Sequence, residues 1–265
     1  MVKALVQAAI GWQSKTRRER NIIRFRLKHW LANTLCLFPV PLTFWLNYFR
    51  SDKHMPGLHQ YGRLYAELFR PFRYRPIKFL EIGIGGYSED IGGRSLLAWQ
   101  AYFPFASIVA CDIEPREFLS SARTRIYQLD QSSRAALIAL REKEGPFDII
   151  LDDGSHQSAH QLLTFAELFD AVRPGGLYII EDVGTSYLDR EVGGILWDGK
   201  HPADPRFRET CMGQFLELAK LLNRPTIHDL IGVDPVLLDA ARKIRRVTFE
   251  KDLIVVHKAD GRPLD

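Results

Sequence analysis

Two short runs hold the residue types from which catalysis is built. Asp152-Asp153-Gly154-Ser155-His156 sets two carboxylates close to an imidazole, and Glu181-Asp182 adds two adjacent carboxylates. Carboxylates gathered in one place repel unless a cation lies between them. A hard divalent ion such as Mg²⁺ suits that set, because it takes carboxylates together with waters and substrate oxygens. His156, three residues past Asp153, adds a general base. Any one of these acids alone reads better as a helix cap, or as a partner for Arg173 or a lysine. The chemistry needs a fold that brings them together.

The surrounding sequence supplies such a fold. IKFLEIGI (77–84), ASIVACDI (106–113), RIYQLD (125–130), FDIILDD (147–153) and LYIIEDV (177–183) are short apolar runs that read as buried strands. Segments 92–103, 133–144, 160–172 and 208–222 have apolar residues at roughly helical spacing, and RPGG (173–176) reads as a turn. IRRVTFEKDLIVVHK (244–258) alternates on both sides of Glu250-Lys251 and reads as a hairpin. Strands separated by helices predict an α/β, doubly wound, mostly parallel sheet, here seven-stranded with a C-terminal antiparallel hairpin. Such sheets bind ligands at the C-terminal strand ends. Both acidic runs lie at strand ends, and strands joined by one crossover are often neighbours.

The other strand ends carry matching features. The first closes on Glu81-Ile82-Gly83-Ile84-Gly85-Gly86, where glycines let a cofactor approach the backbone. A nicotinamide fingerprint wants a glycine five residues after Gly83, and that position is Ser88. An acid two residues before the first glycine, as Glu81 is, is the arrangement of S-adenosylmethionine sites. Asp112, ending the second strand, can accept both hydroxyls of a ribose. Asp130-Gln131-Ser132, after the third, either bounds an adenine or forms a capping turn.

Composition sets the outer limits. The chain has 265 residues, 46% hydrophobic and 26% charged, which excludes a mostly disordered protein. Cys36, Cys111 and Cys211 are too widely spaced for a disulfide framework or a cysteine zinc site, and a reducing cytoplasmic setting is expected. The net charge of +4 divides into +8 over residues 1–50 and −4 over the remainder. The main body is therefore not read as a nucleic-acid binder. The arm, residues 1–50, runs from a basic stretch (Lys15 to Lys28) into the uncharged WLANTLCLFPVPLTFWLNYF (30–49). Pro39 and Pro41 break this run, so a membrane span fits poorly. Two roles are favoured over such a span, which stays the third. The arm is a helical element packed on the main domain or a second subunit, or a peripheral contact with the inner membrane face through Trp30, Leu31, Trp45 and Phe49. Residues 51–265 form the catalytic domain in this reading.

LEIGIGGYSEDIGGRSLLAWQAYFP, ACDIEP, LDQSS, LDDGSHQSAHQ, RPGGLYIIEDVGTSY and Gly193-Gly194, in this order, resemble the Mg²⁺-dependent sugar O-methyltransferases of macrolide (mycinamicin type) and tetracenomycin biosynthesis. SDKHMPGLHQYGRLYAELF resembles the entry segment of the same family. The resemblance covers about residues 51–258 and leaves the arm outside. It implies a Rossmann-like class I methyltransferase fold that binds S-adenosylmethionine through Glu81, Gly83, Gly85, Tyr87, Asp112, Asp130, Gln131 and Asp152. It implies Mg²⁺ or Mn²⁺ held by Asp153, Glu181 and Asp182, and His156 as general base. His59, Tyr61, Thr185 and Tyr187 are the implied acceptor contacts, and Asp52 and Lys53 belong to the segment covering the site.

The expected reaction is methyl transfer to a hydroxyl of a sugar on a glycan, glycolipid or glycosylated natural product, lipid-linked if the arm meets a membrane. A homo-oligomer is expected. Two other classes compete. Cephalosporin-hydroxylase-like proteins share part of the pattern, but their iron would want two histidines and a carboxylate, for which His156, His160 and Asp153 are the candidates. A non-catalytic, membrane-associated glycan binder is the other, and the intact His156 with its carboxylates speaks against it.

Overall fold

The computed structural model describes residues 15–55, 57, 59–85, 91–188, 205–223 and 235–261. Seven strands form one sheet: β1 (Lys78–Ile82), β2 (Ser107–Asp112), β3 (Thr124–Gln128), β4 (Phe147–Asp152), β5 (Val172–Glu181), β6 (Ile244–Glu250) and β7 (Leu253–Lys258). Their order is β3-β2-β1-β4-β5-β7-β6. β1, β4 and β5 pair in parallel, whereas β7 runs antiparallel to both β5 and β6. This is the mixed, Rossmann-like methyltransferase sheet with flanking helices and a C-terminal hairpin. The order turns outward from β1 and β4 to opposite sides, so their C-terminal ends form the switch point where such sheets bind ligands.

One expectation about local structure changes. RPGG does not precede the fifth strand but lies within β5. Phe147 pairs with Val172 and Ile149 with Leu177, so residues 173–176 bulge out of the ladder. Arg173 Nη1 lies 2.5 Å from Asp148 Oδ2, which holds the bulge to β4.

The chain forms two compact units. The first comprises Met1–Pro76, Ile84–Ile108 and Arg116–Ile126; the second comprises Ile77–Gly83, Val109–Pro115 and Tyr127–Asp265. In the first unit lie α1 (Arg17–Leu35), α2 (Leu42–Phe49), α3 (Gly62–Phe69) and α4 (Arg94–Tyr102). Thr16 and Glu19 make a capping box that starts α1. Pro41 is the N-cap of α2, so the prolines do divide the uncharged run. Leu42, Trp45, Leu46 and Phe49 share one face of α2 and are fully buried. Both α1 and α2 pack on α4. Trp45 and Phe49 are therefore core residues, whereas Trp30 is 66% exposed. Among the described residues no helix is long and apolar enough to cross a membrane.

The second unit adds α5 (Arg134–Glu144), α6 (Ser158–Leu168), α7 (Cys211–Leu222) and α8 (Pro235–Ala241). Its core joins Leu80, Val109, Ile150, Phe165, Tyr178, Phe215 and Val256. Phe165 packs edge-on against Tyr178 and Phe215, with centroids 5.1 and 5.0 Å away. Cys36, Cys111 and Cys211 are all buried free thiols. Burial pushes the Cys111 and Cys211 thiols far above their ordinary range.

Candidate active site at the strand ends

β1 and β4 are locked together at their tips. The Asp153 amide donates to the Ile82 carbonyl at 2.8 Å, and the Gly83 amide donates to the Cys111 carbonyl at 2.8 Å. Gly83 has φ +77°, and a Cβ there would sit 2.0 Å from the Asp153 carbonyl oxygen. Its bareness thus serves the approach of β4. Gly85, at φ +65°, is different: a Cβ there would meet nothing within 4 Å.

Beyond β4 the chain turns under a buried polar frame. Asp152 is 1% exposed, and burial pushes its carboxyl up to about 7. Its Oδ1 accepts from Gln131 Nε2 at 2.7 Å and from the Gly154 amide at 3.3 Å. Gln131 Oε1 in turn accepts from the Ser155 amide at 2.9 Å. Ser155 Oγ lies 2.8 Å from His160 Nδ1. This frame delivers His156 in a left-handed conformation, φ +58°.

Asp182 is left-handed too, φ +54°. Its Oδ2 lies 3.5 Å from His156 Nε2. The Thr185 hydroxyl lies 2.7 Å from the His156 carbonyl and 3.0 Å from the Asp182 carbonyl, so one donor spans both residues. Left-handed non-glycine backbone costs about 1–2 kcal/mol per residue, and such residues concentrate at functional sites. Asp153, His156 and Asp182 bring one donor atom each within 4.8 Å of one another. Two carboxylates and an imidazole at that spacing fit one small divalent cation.

Each remaining expected residue has a definite place. Glu181 ends β5, fully buried, with its carbonyl accepting from Gln161 Nε2 at 3.0 Å; it stands outside the group formed by Asp153, His156 and Asp182. Glu81 is fully buried in β1. Asp112 ends β2, with its Oδ1 accepting from the Glu114 amide at 2.9 Å. Asp130 is exposed and accepts from the Ser132 amide and hydroxyl at 2.8 and 2.7 Å, which is the capping-turn arrangement. These Ser132 bonds hold its carboxyl below the ordinary value. Tyr187 packs on Phe207 with centroids 5.0 Å apart. In the first unit His59 stacks on Tyr61 at 4.7 Å. Tyr87 and Gly193-Gly194 lie outside the described residues. His160 is likewise outside the group around Asp153, so an iron triad of two histidines and a carboxylate is not assembled there among the described residues.

One supporting residue escaped the sequence reading. Asp252, in the β6–β7 turn, accepts the Gly184 amide with its carboxylate and the Val183 amide with its carbonyl, the latter at 3.3 Å. It fixes the chain just past Asp182. Only the position of a charged turn residue in the hairpin could have signalled it.

No protein-family profile matches the chain. Mycinamicin VI 2''-O-methyltransferase of Micromonospora griseorubida is 39% identical over 180 residues, which are 67% of this chain and 42% of that protein. The 8-demethyl-8-(2-methoxy-alpha-L-rhamnosyl)-tetracenomycin-C 3'-O-methyltransferase of Streptomyces olivaceus is 45% identical over 139 residues, 52% of this chain and 35% of its own. Among solved structures, MycE methyltransferase from the mycinamycin biosynthetic pathway, in complex with Mg and SAH, matches with a TM-score of 0.71 at 32% identity. That match covers 83% of this chain and 55% of MycE. The chain thus spans less than half the length of these curated relatives. By sequence and by fold it is a homologue of the macrolide and tetracenomycin sugar O-methyltransferases, built on the class I methyltransferase sheet.

Proposed function

We propose that this chain transfers a methyl group from S-adenosylmethionine to a hydroxyl of a sugar, the sugar being part of a natural product or a larger glycan. The observation that carries this reading is the convergence of Asp153, His156 and Asp182 at the tips of β4 and β5. The relatives support it, since MycE was solved with Mg, SAH and mycinamycin VI.

The donor supplies an already activated methyl group, so the protein has to align it and prepare a nucleophile. In this reading Asp112 accepts the ribose hydroxyls, and Glu81 and Gly85 receive the methionine portion. Gln131, braced by Asp152, and Asp130 bound the adenine. A Mg²⁺-class ion would be held by Asp153 and Asp182, which the structure brings together, and would supply charge that makes a sugar hydroxyl more acidic; Glu181, the third carboxylate of the sequence reading, would have to turn toward them from the end of β5 to join. His156 takes the hydroxyl proton on Nε2. The oxygen then forms its bond to the methyl carbon as the carbon–sulfur bond breaks, leaving S-adenosylhomocysteine. His59, Tyr61, Thr185 and Tyr187 are the proposed acceptor contacts.

Incubation with S-adenosylmethionine and a glycoside acceptor, mycinamicin VI or a rhamnosyl tetracenomycin, tests the reading. The expected result is acceptor-dependent release of S-adenosylhomocysteine, lost with EDTA and restored by Mg²⁺ or Mn²⁺. Failure of calorimetry to detect S-adenosylmethionine binding, or tight NADH binding in its place, overturns it.

The basic α1 and the exposed Leu27, Trp30, Leu37 and Phe38 also suit a peripheral contact with an anionic membrane. Vesicle co-sedimentation that weakens with salt is expected. A chain that stays in the supernatant and sediments as a dimer would assign this surface to self-association.

A further inference from the structure

The antiparallel register of β5 and β7 brings the C-terminal hairpin to the group formed by Asp153, His156 and Asp182. Ile180 pairs with Ile254, and Glu181 with Leu253. Asp252, the residue before Leu253, therefore arrives where the chain leaves β5 at Asp182. One carboxylate oxygen of Asp252 lies within 4.8 Å of one of Asp182.

After β5 the chain enters a short 3₁₀ turn, Val183–Tyr187, with Asp182 at its N-cap. The first amides of such a turn have no carbonyl behind them. An N-cap aspartate ordinarily has an extended backbone, and its own side chain accepts one of these amides. Asp182 does neither. Its backbone is left-handed, φ +54°, and its side chain makes no capping bond. Its Oδ2 is turned to His156 Nε2 instead, 3.5 Å away. Asp252 does the capping in its place. The Asp252 carbonyl accepts from the Val183 amide at 3.3 Å, and its Oδ1 accepts from the Gly184 amide. The fit is close, since a Cβ on Gly184 would lie 2.5 Å from that same Oδ1. Asp252 reaches both amides from a left-handed backbone of its own, φ +65°. On the far side of the turn, the Thr185 amide and hydroxyl meet the Asp182 carbonyl at 3.2 and 3.0 Å. Left-handed non-glycine backbone persists only where the surroundings over-determine it. Thr185 grips the Asp182 peptide, and Asp252 holds the two amides that follow.

We propose that Asp252 is a positioning residue for Asp182. By accepting the amides that Asp182 would otherwise cap, it keeps the Asp182 carboxylate beside Asp153 and His156. The inference rests on the reading of Asp153 and Asp182 as holders of a Mg²⁺-class ion. It gives Asp252 no contact with ion, cofactor or acceptor. The acceptor atom, rather than the negative charge, carries the effect. Without that atom the Asp182 side chain falls back onto the amides of its own turn and leaves the ion.

Two substitutions separate geometry from charge. Asp252→Asn keeps an oxygen for the Gly184 amide and tolerates a left-handed backbone. Asp252→Gly tolerates that backbone as well but has no side-chain acceptor. Titration of the full chain with Mn²⁺, followed by the electron paramagnetic resonance signal of the unbound ion, reads the site without turnover. Asp252→Gly should weaken Mn²⁺ binding about tenfold or more, the usual cost of losing a residue that orients a ligand. Asp252→Asn should stay within about threefold of the unaltered chain, since a half-exposed charge is screened by solvent. Hydrogen exchange of the Gly184 amide in the ion-free chain is the second readout, faster in Asp252→Gly and nearly unchanged in Asp252→Asn. S-adenosylhomocysteine affinity should be the same in all three chains. Equal Mn²⁺ affinity in the three chains overturns the assignment. Equal losses in the two variants also overturn it, because they give the effect to charge. Absence of Mn²⁺ binding by the unaltered chain removes the ion and this role together. Mn²⁺ binding in the expected order without methyl transfer sinks the proposed reaction alone. Methyl transfer by an Asp252→Gly chain as active as the unaltered one sinks only the positioning role.

Discussion

His156 Nε2 stands 3.5 Å from Asp182 Oδ2, and both residues hold left-handed backbones under one shared donor, the Thr185 hydroxyl. Two residues that come from different crossovers are thus set as a unit. Their separation is decided by the turns after β4 and β5 rather than by side-chain choice.

Exchanging Asp153 or Asp182 for Asn should abolish turnover while leaving S-adenosylhomocysteine affinity nearly unchanged, because the proposed ion acts on the acceptor. Calorimetry beside a rate assay checks this. A variant that loses both together would place the carboxylate in donor binding.

His156→Ala should lower the rate by about 10²–10⁴, the usual worth of a positioned base. Part of that loss should return at high pH, where hydroxide replaces the missing acceptor. A flat pH–rate profile in the variant would assign His156 to the ion instead.

Gly83→Ala and Gly85→Ala should behave differently, although both sit at positive φ. At Gly83 the new methyl collides with the Asp153 carbonyl. A loss of about 2 kcal/mol or more, and several degrees in Tm, is expected there. At Gly85 only the backbone strain of about 1 kcal/mol applies, and the larger effect should fall on S-adenosylmethionine affinity. Equal melting curves for the two variants would contradict the β1–β4 lock.

His257 on β7 makes stability depend on pH. Its Nε2 lies 3.0 Å from Arg246 Nη2, and burial, then Arg246 and Arg245, hold its pKa down at about 4. The unfolded chain therefore binds this proton first as pH falls. The stabilisation is complete above about pH 6.5 and is lost progressively toward pH 4. Discounted for partial exposure, the change is about 1 kcal/mol. Urea denaturation at pH 7 and pH 4.5 should show that loss in the unaltered chain and a smaller one in His257→Gln.

Trp45→Ala should cost about 3–5 kcal/mol, the usual range for a buried aromatic, whereas Trp30→Ala should stay within about 0.5 kcal/mol. Denaturant midpoints of the two variants decide it. Equal midpoints would mean that α2 does not contribute to the core as described.

The strands were legible in the sequence because buried parallel strands are nearly uninterrupted apolar runs, and their tips followed from chain order. The convergence of Asp153 and Asp182 was foreseeable for that reason. The left-handed turns, the Gln131–Asp152 frame and the Asp252 contact were not, since each depends on where a side chain ends up across tens of residues. RPGG looks like a turn by composition, and only its pairing with β4 shows a bulge within a strand. In the arm, Leu42, Trp45, Leu46 and Phe49 announce a buried helix face by their spacing. A reading weighted toward charge and aromatic content sees an interfacial segment instead.

The three thiols give the molecule a clock of its own. Cys36 is enclosed in the first unit, and Cys111 and Cys211 in the second. A thiol reagent attacks only a thiolate it can reach, so labelling must wait for the surrounding structure to open. The rate at Cys36 would time the opening of one unit, and the rates at Cys111 and Cys211 that of the other, with no foreign probe added.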